Sequence, residues 1–507
     1  MLAPDYLDHA PDRLILLWQQ AEDDILRDVA RRIGKMDALT PTANWQLWRY
    51  QQTEAVRKDV VKLLVRYTGK SESEIRRLMQ EAATAALEAE DEIYYHYGKE
   101  PTSFEESTPL QNLLNAGYRQ TAGSFSNLTA TTANTVSGAF EQALDRAWLQ
   151  VSSGAFDYKT AVKRAVDGLA DSMPYVTYPS GHRDTLEVAC RRAVLTGVNQ
   201  TGAKLQEARM DEMGASFVEV TAHGGARPSH AVWQGRRYHR GGAVDYLGQH
   251  YEDFESATGY GTGAGLCGWN CRHTFFVVFP ELGSPPAWTQ ESLEALNARD
   301  IEYDGRLYTR YEISQMQRAR ERAVRKWKRR YLAEDAAGAD ATASAVRLRQ
   351  ARQSLTDFTR ATGGRVDSAR TSAHGFGRSE ASRASYAARK QERFNAANTE
   401  LQQMREAGTI KAKGRLIESP AAPNEINFAS DHVLQRWAER GMGPMDAERI
   451  IRSSKVAMSQ RNGTQTCYYS ELGFVAIGQD GNVSSIGPLD EGGKKLMEVV
   501  KKHGIPH

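Results

Sequence analysis

Val-Thr-Ala-His-Gly-Gly-Ala-Arg-Pro-Ser-His-Ala-Val-Trp-Gln-Gly runs from Val220 to Gly235, and Gly-Leu-Cys-Gly-Trp-Asn-Cys-Arg-His-Thr-Phe-Phe from Gly265 to Phe276. These runs hold two of the chain's four cysteines and open and close a block dense in histidine and glycine. Phe217–Val220 and Thr274–Phe279 read as strands framing a long glycine-rich insert that carries Tyr246, Tyr251 and Tyr260. A long loop poor in aliphatic residues needs another source of order, such as a metal or a partner.

Cys267, Cys271 and His273 form a C-x3-C-x-H cluster, and thiolates with imidazole are the donors of a tetrahedral structural zinc site. His230, His239 or His223 would supply the fourth ligand. The alternative is that the thiols are small buried apolar groups and the histidines hydrogen-bond the loop. Catalysis has less support. Asp245, Asp253 and Glu255 lie near His239 and His250, but the block has no nucleophile elbow, P-loop or paired metal-carboxylate motif.

Working outward towards the amino terminus, Leu14, Leu17, Trp18, Ala21, Ile25, Val29 and Ile33 recur at helical spacing. Ser71 to Glu74 fits a capping box that starts a further helix through Ile75, Leu78 and Met79. Leu110 to Leu114, Val136–Trp148, Tyr158–Leu169 and Thr185–Met213 continue the helical pattern. In the other direction, Tyr308–Leu332 is strongly basic, with Arg318, Arg322, Arg325, Lys326, Arg329 and Arg330 among its charges. Those side chains are candidates for contact with nucleic-acid phosphate or with an acidic protein partner. Ala333 to about Lys413 is rich in Ala, Ser, Arg and Thr and reads as exposed helices with a flexible break near Gly363-Gly364 and Gly375–Gly377.

From Asn427 the composition turns globular again. Helices are expected over Asp431–Arg440, Met445–Ser453 and Glu491–His503, with strands over Thr464–Ser470 and Leu472–Ile477. A Gln479–Asn482 hairpin turn leads into Val483–Ile486. The expected fold class is multidomain: a mainly α half over 1–213, a small α+β Gly/Cys/His-rich core over 214–306, a basic helical arm and linker over 307–425, and a small α+β domain over 426–507.

The 507 residues exceed what one hydrophobic core usually serves. A formal net charge of +2 excludes a bulk polyanion binder, while local basic stretches remain. Four cysteines are too few for a disulfide framework, so free or metal-bound thiols in a reducing cytosol are expected. The acidic start, Met1–Arg13, does not read as a signal peptide, and no uncharged run reaches the roughly 20 residues that span a bilayer. The expectation is a soluble protein made in the cytoplasm and held there until it enters an assembly.

His223, Ala226-Arg227-Pro228-Ser229-His230, Trp233-Gln234-Gly235 and Gly265-Leu266-Cys267-Gly268-Trp269-Asn270-Cys271-Arg272-His273 together resemble the phage minor capsid protein 2 family, itself similar to Mu F-type head-morphogenesis proteins. The resemblance runs from the amino terminus to about Tyr331. It implies association with portal and capsid proteins, low copy number, a place in the inner head or portal region of the virion, and delivery with the packaged DNA. A DNA-binding packaging factor is a further reading.

Asp431-His432-Val433-Leu434-Gln435-Arg436-Trp437-Ala438-Glu439-Arg440-Gly441-Met442, followed by a helix and a strand pair, resembles the barnase–EndoU–colicin–RelE superfamily of toxin-like RNases. Metal-free RNA cleavage needs a base, an acid and a cation for the phosphorane. His432, Arg436 and Arg440 lie at i, i+4 and i+8 along one helix face, and Gln465 and Tyr469 from the strands would complete the set. Equally, His432 caps its helix and the arginines form ordinary surface pairs, leaving an adhesive or assembly module.

Overall fold

A computed structural model describes residues 2–36, 42–172, 175–178, 182–420, 426–428 and 431–506. The chain divides into two compact units, Met1–Glu380 and Ala381–His507. Among the described residues no helix is long and apolar enough to cross a membrane.

The first unit is built on long helices: Asp12–Gly34, Thr42–His96, Thr108–Ser152, Tyr158–Ser172 and Leu186–Met213. Their apolar stripes meet in one core around Trp18, Ile25, Val29, Leu78, Phe125, Phe140, Val166 and Val194. Two glycines set the closest approach between helices. A Cβ at Gly117 would strike Thr201, and one at Gly197 would strike Thr121, so helices Thr108–Ser152 and Leu186–Met213 cross with small residues in contact.

The helix start expected at Ser71 is absent. Ser71 is buried in the middle of the 55-residue helix Thr42–His96, where its hydroxyl donates to the Tyr67 carbonyl (2.8 Å) and accepts from the Trp18 indole (3.0 Å). A serine that back-bonds to i−4 and takes a tertiary partner no longer competes with the helix it sits in.

Glu90 on the same helix is fully buried, and that burial pushes its carboxyl up to about 7 from 4.5. A carboxyl with a raised folded pKa binds its proton more tightly in the folded chain, so the fold loses stability as pH rises from about 4.5 to about 7. Glu90→Gln is expected to stabilise the unit at pH 8 by up to ~3 kcal/mol and to do little at pH 5. Urea denaturation at the two pH values checks this, and an equal gain at both would count against it.

Beyond Gly214, which ends its helix in the left-handed conformation (φ 64°), lies a five-stranded sheet. Its order is Val244–Tyr246, Gln249–Asp253, Arg237–His239, Phe217–Val220, Phe275–Val277. The two strands expected from sequence are neighbours in it, with Val218 opposite Val277 and Val220 opposite Phe275. The insert between them is not the structureless loop that was expected, because it supplies the other three strands and the helix Phe254–Thr258. Leu247 (φ 49°) and Gly248 (φ 78°) make a tight primed hairpin turn.

A second hairpin, Arg299–Tyr303 with Arg306–Thr309, turns on Asp304 and Gly305 and precedes the helix Arg310–Ala336. Thr309 and Glu312 close a capping box on that helix. Glycine does break the chain at Gly363 (φ 69°), where helix Thr342–Thr362 ends. The segment after it is tied down, in contrast to the flexible break expected. Gln317 donates to the Arg365 carbonyl, Asp367 N–H to Glu321, Arg325 to the Ser372 carbonyl, Lys328 to the Thr371 carbonyl, and His374 N–H to Asp23.

In the second unit an antiparallel meander runs Arg415–Glu418, Val456–Gln460, Gln465–Ser470, Gly473–Gly478, Val483–Gly487. Helices Asp431–Glu439, Pro444–Ser453 and Glu491–Lys502 lie where expected, while strands Arg415–Glu418 and Val456–Gln460 are additional. One sheet face packs Met458, Cys467 and Tyr469 against Leu496, Val500 and Leu401; the other packs Ala457, Tyr468 and Val475 against Ile450 and Trp437. This unit begins at Ala381, well before the boundary expected at 426. Phe394, Ala397 and Leu401 of helix Arg378–Glu406 supply part of its core.

Candidate metal centre and the cleft beside it

His230 sits on the one-turn helix Pro228–Ala231, and His273 lies two residues before strand Phe275–Val277. Cys267 and Cys271 lie on a loop folded so tightly that a Cβ at Gly265 would collide with the Gly259 carbonyl and one at Gly268 with the Gly263 carbonyl. Cys267 (φ 57°) and Asn270 (φ 54°) are themselves left-handed, a conformation that costs non-glycine residues energy and persists only where the surroundings enforce it. Backbone bonds within the loop, Trp269 N–H to the Gly263 carbonyl (2.7 Å) and Cys271 N–H to the Gly268 carbonyl (3.1 Å), hold these turns, and buried Asn199 on helix Leu186–Met213 pins the end of the loop. The Asn199 amide donates to the carbonyls of both Cys271 and His273, each at 3.0 Å. Gln206, two turns further on, holds the Phe275 carbonyl (2.8 Å).

Three donors converge inside this loop. Cys271 Sγ stands 3.7 Å from His230 Nδ1 and 3.6 Å from His273 Nδ1, and the three atoms lie within 4.8 Å of one another. The far nitrogens fix the tautomers. His230 Nε2 faces the Ala264 carbonyl (2.9 Å), which only accepts, so it carries the proton. His273 Nε2 faces Gln234 Oε1 (2.9 Å), an oxygen that also accepts from the His223 N–H (3.1 Å). Both Nδ1 lone pairs therefore point inward, the arrangement that metal-binding imidazoles use with an outer carbonyl partner.

The spacing suits a metal. Zn–S of about 2.3 Å and Zn–N of about 2.0 Å at a tetrahedral angle put S and N about 3.5 Å apart. Burial lowers the His230 and His223 imidazoles to about 4, and burial with the neighbouring His223 and His230 holds His273 well below the ordinary range. All three are neutral at pH 7 and have lone pairs to give. Burial also pushes the Cys271 and Cys267 thiols up, so a metal bound here has to displace the Cys271 proton. The buried His–Cys–His group could thus hold a metal ion.

Three expected ligands fall outside the group. Cys267 is buried nearby but directs its thiol to the His273 carbonyl (3.6 Å). His239 bonds the Gly242 carbonyl (2.7 Å) and packs on Phe217. His223 stacks on the His273 ring at 4.3 Å without joining the donors. Gln234 and Asn199 were missed as site residues. Gln234 lay in the Trp-Gln-Gly run, whereas Asn199 gave no signal inside its helix.

The triad also lines a cleft of about 430 Å³. Its carboxylates are already engaged: Asp8 pairs with Arg272 (3.2 Å) and Arg191 (3.7 Å), and Glu187 with Arg325 (3.4 Å). The basic helix divides its charges between inside and outside. Arg325 and Arg329 reach buried Glu22 and Asp23 (3.0 and 2.9 Å), Arg330 pairs with Asp167 (2.7 Å), and Lys326 with Asp171 (2.9 Å). Arg318 and Arg322 instead line the cleft.

In the second unit, the side chains of His432 and Arg436 lie outside the described residues. Arg440 donates to the Ile486 carbonyl (2.7 Å), Gln465 to Ser484 (2.6 Å), and Tyr469 is buried. Tyr469 packs on the sheet face covered by Leu496 and Val500. Trp437, on the helix expected to carry the set, packs on the opposite face.

The family described as phage minor capsid protein 2 matches residues 2–360, so the chain belongs to that family and is a phage head protein. No curated protein and no solved structure matches it.

Proposed function

We propose that this head protein acts in virion assembly at the portal and inner capsid, by docking rather than turnover. In this reading a structural zinc at His230, Cys271 and His273 keeps its irregular core rigid. The observation that carries the reading is the convergence of those three buried donors, with sulfur–nitrogen spacings of 3.7 and 3.6 Å, in a loop clamped from behind by Asn199. Among the described residues neither carboxylate of the adjoining cleft is free to act as a base.

A docking face is at hand. Leu47, Tyr50, Val61 and Val65 stand exposed on helix Thr42–His96, and at 100° per residue all four fall on one side of it. Glu54 and Lys58 fall on the same side between the two apolar pairs, and exposed apolar anchors with charge between them suit a contact surface in an assembly. Mass spectrometry of purified particles tests the proposal. The chain should be present at low copy number, and Leu47→Glu with Val65→Glu should remove it from particles while leaving its melting temperature unchanged. Its absence from wild-type particles would refute the assembly role.

A further inference from the structure

Six guanidinium groups from separate parts of the chain line the cleft beside the triad. Arg191 comes from helix Leu186–Met213, Arg227 from the turn before His230, and Arg272 from the cysteine loop. Arg318 and Arg322 come from helix Arg310–Ala336, and Arg370 from the turn Ser368–Thr371. Only two carboxylates, Asp8 and Glu187, share that lining, so six positive charges face two negative ones.

Four of the arginines have partners. Asp8 serves Arg191 and Arg272, Asp367 serves Arg370 (3.1 Å), and the Trp269 carbonyl serves Arg227 (2.8 Å). Arg318 and Arg322 make no ion pair or hydrogen bond among the described residues. Arg318 is nonetheless partly buried, and that burial, with Arg370, Arg272 and Arg191 close by, outweighs the attraction of Asp8 and pulls its guanidinium down to about 10. The contrast with Arg325, Arg329 and Arg330 on the same helix is direct, since each of those has carboxylates waiting for it. A half-buried guanidinium surrounded by others is unfavourable unless an anion completes the set.

We propose that this cleft is a binding site for a small phosphate-bearing ligand of nucleotide size, held by Arg318 and Arg322 with Arg370 and Arg272. Guanidinium forks match phosphate oxygens two at a time, and an excess of four positive charges suits a multiply charged phosphate better than a single carboxylate. Tyr311, Ser314 and Gln315 line the same cleft and offer hydroxyl and amide groups to the rest of such a ligand. A volume of about 430 Å³ is that of a small-molecule pocket, too confined for a DNA duplex. The site does not rest on the assembly role; it shares its cleft with the triad, and Arg272 stands between Cys271 and His273.

Calorimetric titration of the full-length protein at constant ionic strength, with pyrophosphate, dATP and a short DNA duplex as probes, tests this. Saturable binding of pyrophosphate and dATP is expected. Arg318→Gln should weaken it at least ~10-fold and Arg318→Gln with Arg322→Gln about 100-fold, from the loss of charge-assisted hydrogen bonds. Neither guanidinium makes an ion pair or hydrogen bond among the described residues, so melting temperatures should not fall. The exposed Arg360→Gln on helix Thr342–Thr362 should bind as wild type. The site is refuted by an absence of binding at millimolar probe, by unchanged binding in Arg318→Gln, or by duplex binding tighter than that of pyrophosphate.

Discussion

Arg325→Ala is expected to destabilise the first unit by ~3–5 kcal/mol, while Arg322→Ala, one turn earlier on the same helix, should stay within ~0.5 kcal/mol of wild type. Arg325 reaches Glu22 at 3.0 Å and Asp23 at 3.7 Å, and those carboxylates are 0% and 1% exposed. It also meets Glu187 and donates to the Ser372 carbonyl, so one guanidinium joins three helices and the strap after Gly363. Removing it leaves Glu22 and Asp23 in the core with Arg329 as their one remaining ion-pair partner among the described residues, and an uncompensated buried charge costs far more than a lost surface pair. Chemical denaturation of the full-length chain, followed through the transition of the first unit, measures both variants. Equal losses would mean that the buried network contributes nothing.

The second large effect concerns the zinc proposed at His230, Cys271 and His273. Chelation should lower the stability of the first unit by ~4 kcal/mol relative to protein in free zinc 1,000-fold above its Kd, and zinc should restore it. Cys271→Ser should behave like the stripped protein and fail to respond to zinc. Cys267→Ser should keep most of the response, because the Cys267 thiol faces the His273 carbonyl and stands outside the donor group. A zinc response lost equally in both variants would move Cys267 into the site.

Much of the helical scaffold was legible in the sequence. Periodic apolar residues placed helices Asp12–Gly34, Tyr158–Ser172 and Leu186–Met213, and turn chemistry placed most of the terminal sheet and its helices. What escaped has physical causes. Strands of three residues are too short to show alternation, and Leu247-Gly248 makes a primed turn without the usual Asn or Asp. Asp304-Gly305 did carry that signal, and a search for it would have found the hairpin before the basic helix.

The candidate site was legible in its residue types and less so in its geometry. C-x3-C-x-H spacing does not reveal that a left-handed backbone at Cys267 turns one thiol away, nor that Gln234 and Ala264 orient the imidazoles. In the basic stretch, Arg318 and Arg325 look alike in sequence. The carboxylates that separate them, Glu22 and Asp23, lie about three hundred residues away.

The central claim is that His230, Cys271 and His273 form a metal-held staple. X-ray absorption on full-length protein purified under reducing, zinc-replete conditions reads it most directly. The account predicts about one zinc per chain, with sulfur near 2.3 Å and imidazole nitrogen near 2.0 Å, and none in Cys271→Ser. A wild-type chain free of metal, whose stability is the same as that of Cys271→Ser, would contradict it.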